Sequence, residues 1–446
     1  MPSIGKKIWL CYDSDMAERM DKDTQKNHGN ASDRSARARR RRRRRQIVIV
    51  QRMLIVFVFV AAIGLIIHFV SGRGKKNIVA NPAPEAAEMT ANDTIDVVSE
   101  AVQAEKEAVR EFSVSFTTTG DLIFWREVAD YIDMNGGASA MEGIADLIDD
   151  ADVTISDLES PLSNNDSVPL PEKDVYIIGR PGALEGMKNA GIDVVSLANN
   201  HIMDYSGPAL EDTIHALDEA GILHAGAGMT ESDADAVLEL EVNGASIAFF
   251  SWTDIVPHNF IAYGDAPGVA SARLNMDSAR SRIREAKETH DIVIVAIHWG
   301  IEYQDYISDE LQRTPAHQFV EAGADIILGN HPHVPEGIEF YQGSLIAYAH
   351  GNCVFRQDPG KGYTHESYIM DFTVTQDGIS DLVVTPLYLS DDYGIPGLAQ
   401  GDQAQSTLVR LTEISEGMNS AFEIRDGKAY VTPIEPAANV TPERSH

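Results

Sequence analysis

The sequence predicts an α/β domain, a sheet layered between helices, preceded by one membrane-spanning helix. Three observations carry this expectation. After residue 112, short runs rich in β-branched and aromatic residues alternate with helical patterns. An Ala-Gly joint recurs at Ala190-Gly191-Ile192, Ala220-Gly221-Ile222 and Ala322-Gly323-Ala324, where a helix needs a left-handed residue before the next strand. Upstream, Met53 to Val70 runs for 18 residues without a charge.

The chain has 446 residues, 43% of them hydrophobic, enough for a packed core and against wholesale disorder. Its net charge of −32 argues against a nucleic-acid partner. Two cysteines, Cys11 and Cys353, exclude a disulfide scaffold and a cysteine zinc cluster. The charge is divided sharply. Residues 1–52 hold 15 Lys+Arg against 6 Asp+Glu, and residues 71–446 hold 21 against 62.

The segments follow in order from the N-terminus. Residues 1–46 read as a basic cytoplasmic arm with nine arginines between Arg34 and Arg45. Residues 47–70 are the spanning helix, because a hydrocarbon core of about 30 Å needs roughly 20 apolar residues. The arginines set its orientation by the positive-inside rule, with the large domain extracellular and the membrane itself as a partner. Cys11 and Cys353 then lie on opposite sides. Residues 71–111 read as a stalk, opening with the breaker cluster Asn81-Pro82-Ala83-Pro84.

The main domain spans residues 112–392. Its expected strands are Phe112–Thr119, Val153–Ile155, Val194–Leu197, Ile247–Ser251, Ile292–Ile297 and Ile326–Leu328. Pro208–Ala220 is an amphipathic helix with Leu210, Ile214 and Leu217 on one face. After Cys353 the pattern changes to paired strands, His365–Val374 and Leu382–Leu389, then a helix near Thr407–Met418. Residues 393–446 form a C-terminal extension packed on the same domain.

Ligands of open α/β sheets bind at the carboxyl ends of the strands, and polar residues accumulate there. The ends carry Thr119-Gly120-Asp121, Asp157-Leu158-Glu159, Asn199-Asn200-His201, His298-Trp299-Gly300 and Asn330-His331-Pro332-His333. Taken singly, each has an ordinary structural reading as a turn, a cap or a core histidine. Together they offer carboxylate, amide and imidazole donors without cysteine, a set suited to a catalytic divalent metal such as zinc, manganese or iron.

This motif series, continued by Asp204, Glu302-Tyr303, Val334, Gly337, Glu339, Ile346, Tyr348 and Gly351-Asn352, resembles the CapA family of poly-γ-glutamate capsule biosynthesis. The resemblance covers about residues 113–356. It implies a metallophosphoesterase-like domain, a layered β-sandwich flanked by helices holding one or two metal ions at its strand ends. It further implies Asp121, Glu159, Asn200, His298, His331 and His333 as metal ligands, with Glu159 bridging. His201, held by Asp204 or a backbone carbonyl, would face the substrate as a catalytic group. Two departures stand out. The phosphoesterases carry a histidine two residues after the first aspartate, where this chain has Ile123. The family has Asn at Asp157 and Ser-Leu-Gly-Asn-Phe where this chain has Ala349-His350-Gly351-Asn352-Cys353. Asp157 and His350 are the candidates for the donor that Ile123 does not supply.

The leading functional expectation is a membrane-anchored extracytoplasmic protein of capsule or poly-γ-glutamate biosynthesis with a hydrolase-like metal site. Its partners would be an anionic polymer or phosphoester substrate and membrane subunits of a synthase or export complex. The alternatives are a phosphoesterase or amide hydrolase on another envelope substrate, and a non-catalytic scaffold. The topology is checked by protease added to intact cells or protoplasts. The large domain is expected to be digested and an N-terminal tag spared; a protected domain would reverse the orientation.

Overall fold

The computed structural model describes residues 111–434, apart from residue 149, residues 167–172 and residue 359. The expected arm, spanning helix and stalk up to residue 110 lie outside the described residues. Among the described residues no helix is long and apolar enough to cross a membrane.

The chain begins with β1 (Ser113–Leu122), α1 (Glu127–Asn135), β2 (Val153–Leu158), α2 (Ala183–Asn189), β3 (Val194–Ser196) and α3 (Ser206–Ala220). It continues through β4 (Leu223–Ala225), β5 (Ala227–Gly228), β6 (Leu238–Val242), β7 (Ala245–Thr253) and β8 (Gly268–Val269). Next come α4 (Met276–Lys287), β9 (Ile292–His298), α5 (Thr314–Ala322), β10 (Ile326–Asn330), β11 (Ile338–Tyr341) and β12 (Ser344–Ala347). The last elements are β13 (Asn352–Val354), β14 (Glu366–Thr375), β15 (Gly378–Leu389), β16 (Pro396–Leu398), α6 (Gly401–Ile414), β17 (Ser420–Arg425) and β18 (Lys428–Pro433).

Two mixed sheets carry the architecture. The larger runs β17-β18-β15-β14-β1-β2-β3-β4, with β13 on β1 and β16 on β15; the smaller runs β11-β12-β10-β9-β7-β6. The period-two pattern of β9 shows how they pack. Ile292, Ile294 and Ala296 join the cluster that Phe116, Ile155 and Met370 build from the other sheet. Val293, Val295 and Ile297 point the opposite way, onto Ile283 of α4 and Phe319 of α5. Strands covered on both faces read as continuous apolar runs, which is how β9 stands in the sequence. On the outer face of the larger sheet, Leu158 and Val195 pack with Val128, Met187, Leu210 and Leu217 of α1, α2 and α3. The result is a helix-flanked β-sandwich, two sheets where alternation alone implied one.

The paired strands after Cys353 are part of the larger sheet: β14 runs antiparallel to β1, with Phe116 opposite Phe372 and their rings stacked at 5.3 Å. All three Ala-Gly joints fulfil their expected role, with φ of 83° at Gly191, 73° at Gly221 and 118° at Gly323. Three hairpins, β6–β7, β11–β12 and β17–β18, went unread in the sequence. They turn on Asn243-Gly244, Gln342-Gly343 and Asp426-Gly427, each with both residues at positive φ, as two-residue turns require.

Parallel register is held by a repeated aspartate device. Asp152, Asp193, Asp291 and Asp325 each stand one residue before β2, β3, β9 or β10. Each donates its N–H to the carbonyl of a residue on the neighbouring strand: Ser115, Thr154, Ser246 and Val293 respectively. Each also accepts that residue's N–H with its own carboxylate, at 3.0, 3.1, 2.7 and 2.8 Å. Replacing Asp291 removes the acceptor for both N–H and Oγ of Ser246. Asp291→Ala is expected to lower unfolding stability by about 1–3 kcal/mol in denaturant titration. Exposed Asp277→Ala is expected to stay within about 0.5 kcal/mol.

Candidate functional site

That register aligns the polar strand ends. In the larger sheet Asn352, Asp121 and Asp157 sit side by side, and Ser196 follows Asp157 on β3. In the smaller sheet Thr253, His298 and Asn330 do the same. Beside the Ser196 Oγ–Ser251 Oγ bond, two hydrogen bonds between polar strand ends join the sheets here. Asn330 Nδ2 donates to Asp121 Oδ1 at 2.6 Å, and His298 Nδ1 donates to Asp157 Oδ2 at 2.8 Å.

The second bond fixes the imidazole. With Nδ1–H committed to Asp157, His298 aims Nε2 into the site; burial opposes charge on the ring, but Glu159 and Asp157 raise it to about 10, so a cation would take the place of the Nε2 proton. There it meets Asn200 Oδ1 at 2.7 Å, His331 Nδ1 at 3.1 Å and Glu159 Oε1 at 3.5 Å. Burial and the neighbouring charges of His298 and His333 push His331 well below the usual imidazole range, so it presents a lone pair. Donor atoms of Glu159, His298 and His331 lie within 4.8 Å of one another. Those of Asp121, Glu159 and His333 form a second such group, and those of Asp121, Asp157 and His298 a third. Glu159 belongs to the first two groups, one per oxygen: Oε1 faces His298, and Oε2 lies 4.0 Å from His333 Nδ1.

These residues fit a cation. Glu159 is fully buried, and among the described residues neither of its oxygens has a hydrogen-bond partner, nor does Asp121 Oδ2. Burying unpaired carboxylate oxygens costs several kcal/mol unless a positive charge meets them. Burial alone would raise Glu159, yet the imidazoles of His333 and His298 hold it far below the usual carboxylate range. Asp157, pushed up to about 6 by burial, sits behind His298. The chain also accepts backbone strain here: His331 and His333 have φ of 102° and 59°, uncommon for non-glycine residues.

On the adjoining wall, His201 Nδ1 donates to Asp204 Oδ2 at 2.6 Å, leaving Nε2 3.9 Å from Glu159 Oε1. Asp204 also accepts from Ile177 N at 2.7 Å and from Lys173 Nζ at 2.6 Å. Of the two expected holders for His201, the structure selects Asp204. All eight expected site residues therefore face one buried locus.

Three contributors had no site role assigned from the sequence, although Tyr303 and Asn352 stand in the motif series. Lys173 lies outside every motif; its ammonium bridges Asp204 and the carbonyl of Asn200. Asn352 meets His333 Nδ1 with Oδ1 at 2.9 Å and His333 O with Nδ2 at 3.2 Å. Tyr303 stacks on the His333 ring at 5.8 Å, its N–H bound to Pro332 O. Of the two candidates for the missing donor, His350 is elsewhere occupied. Its Nε2 pairs with Thr118 Oγ1 at 2.8 Å, its Nδ1 lies 3.4 Å from Gly329 O, and burial drops it to about 4. Ile123 is packed with Ile177 and Phe355, so the position two residues after Asp121 is apolar filling.

Comparison with known proteins agrees with the motif series. The chain is 31% identical over 330 residues to the PGA biosynthesis protein CapA of Bacillus subtilis (strain 168), covering 73% of this chain and 85% of that one. It is 31% identical over 299 residues to the capsule biosynthesis protein CapA of Bacillus anthracis, covering 66% and 71%. The solved calcineurin-like phosphoesterase YfkN of Bacillus subtilis overlaps with 15% identity and a TM-score of 0.34, covering 68% of this chain and 98% of that one. That overlap is too slight to bear on fold or activity. The family model described as bacterial capsule synthesis protein PGA_cap matches residues 115–357, the stretch that holds every ligating and catalytic candidate, and the chain belongs to that family.

Proposed function

We propose that this protein serves capsule or poly-γ-glutamate biosynthesis outside the cytoplasmic membrane, using a divalent-metal hydrolase site. The observation that carries the reading is the buried Glu159 carboxylate, without a hydrogen-bond partner at either oxygen among the described residues and ringed by His298, His331 and His333. A divalent cation held there supplies Lewis acidity, activating water and neutralising charge on a substrate.

The chain's own residues do the rest. Asp157 orients His298, and Asn330 orients Asp121. Asn352 and Tyr303 hold the His333 ring from its edge and its face. His201 is placed to move a proton at Nε2, because Asp204 fixes Nδ1 and Lys173 balances the Asp204 charge. The membrane tether and outward orientation rest on the basic arm and the apolar run of the sequence. The exterior is acidic, so an acidic polymer would engage this locus rather than a broad surface.

The test is hydrolysis of bis(p-nitrophenyl) phosphate by purified protein with manganese or zinc, alongside polymer output of a deletion strain carrying each variant. His333→Ala is expected to lower bound metal and activity together. His201→Ala is expected to keep the metal and lose turnover by about 10²–10⁴-fold. Equal metal loss in both variants would make His201 a ligand, and full function in both would leave a scaffold.

Metal should also act on stability. At free metal about 100 times its Kd, unfolding free energy is expected to rise by about 2.7 kcal/mol over chelator-treated protein. An unchanged denaturation midpoint would remove the cation from the reading.

A further inference from the structure

Beneath the His331-Pro332-His333 turn lies a pair of buried polar side chains that neither ligates nor faces the substrate. Gln312 and Glu336 are both 0% exposed. Gln312 Nε2 donates to Glu336 Oε2 at 2.5 Å, while Gln312 Oε1 accepts the N–H of Ser308 at 2.9 Å. Gln312 sits in a π-helical turn, Asp309–Arg313, a wide turn often found at functional sites. Its amide fills the space above Gly300, where a Cβ would meet Gln312 Nε2 at 2.8 Å and Pro332 Cγ at 3.1 Å. Gly300 thus lets the amide and the proline ring pack together. Glu336 is anchored in turn by its N–H on Ala349 O. Its other oxygen, Oε1, has no hydrogen-bond partner among the described residues, and burial pushes the carboxyl well above its usual range.

Packing alone would be served by two apolar side chains without leaving a buried oxygen unsatisfied. The pair connects two segments that meet at the site. Residues 299–313 already bind the turn through Trp299 N to Asn330 O and Tyr303 N to Pro332 O. The turn itself holds two imidazoles at positive φ, a conformation that persists only where its surroundings over-determine it. We propose that the Gln312–Glu336 bridge is a positioning unit that clamps the His331-Pro332-His333 turn in its left-handed form and so aims both imidazoles.

The affinity arm of the test rests on the metal-site reading above; the exchange arm does not. Manganese affinity is measured on the full-length protein by chelator competition. Hydrogen exchange of amides 330–336 is measured on the metal-free protein. Gln312→Ala and Glu336→Leu are each expected to weaken affinity by about 10–100-fold and to speed exchange in that segment. Their combination should be no worse than the weaker single variant, because both break one unit. Glu336→Gln, which keeps an acceptor for the Gln312 amide, should restore near-normal behaviour. Val431→Ala, destabilised by a cavity in β18, which carries no site residue, should leave affinity and local exchange unchanged.

Unchanged affinity and exchange in Gln312→Ala overturns the proposal, as does an equal loss in Val431→Ala. If Glu336→Leu does not fold, Gln312→Ala decides. If wild-type protein takes no manganese, the functional reading falls and exchange alone decides the clamp.

Discussion

The structure depends on parallel register. Asp152, Asp193, Asp291 and Asp325 tie the starts of four strands to their neighbours through paired backbone and carboxylate hydrogen bonds. A slip of one residue would turn every side chain of a strand to the opposite face. Because the starts are pinned, the ends coincide. Asp121, Asp157, His298 and Asn330 arrive at one level from two sheets, and the loops beyond them supply Glu159, Asn200, His331 and His333. The apolar sandwich beneath supplies the stability, while the polar layer above it is free to be electrostatically costly.

That layer is costly by any accounting of buried charge. Three carboxylates and three imidazoles share a region closed to solvent, with three carboxylate oxygens lacking a hydrogen-bond partner among the described residues. Around them the chain adds ordinary hydrogen bonds, with Asp157 on His298, Asn330 on Asp121 and Asn352 on His333. Asp157 and Asn330 leave His298 Nε2 and Asp121 Oδ2 facing inward, whereas Asn352 bonds the same His333 nitrogen, Nδ1, that faces Asp121 and Glu159. The strained turn at residues 331–333 is held the same way, from outside, by the Tyr303 backbone and by the packing around Gly300. Orientation is supplied by neighbours, and the Glu159 oxygens and Asp121 Oδ2 keep no hydrogen-bond partner among the described residues.

Ile123 and His350, near the site in sequence, supply it no donor. Ile123 seals the wall beside Asp121 with Ile177 and Phe355, and His350 turns its ring into the core. The Asp121–Glu159–His333 group therefore has fewer imidazoles than its neighbour, which combines His298 and His331. Asn352 and Asn330 complete it with amides, which hold geometry but add no charge. The two halves of the locus are chemically unequal, although Glu159 serves both.

The sequence by itself determined the strand and helix alternation, the Gly-closed helix ends, and the motifs that hold the eight candidate residues. Each of these is local: a periodicity, a turn residue, or a motif at a strand end. The polar strand ends were legible because apolar runs stop where polar residues begin, although β1, β9 and β10 run on to Leu122, His298 and Asn330, past the expected Thr119, Ile297 and Leu328. The hairpin signals at Asn243-Gly244 and Asp426-Gly427 were equally local and simply went unread. Only the tertiary structure decided that two sheets face each other, since alternation within one strand does not say what covers its far side. Tertiary structure alone also joined Lys173 to Asp204, Asp157 to His298 and Gln312 to Glu336. Those partners are 31, 141 and 24 positions apart, and nothing in local pattern couples them. Each pairing follows from burial: once the fold takes a polar group out of water, it bonds to whichever group the packing has brought beside it.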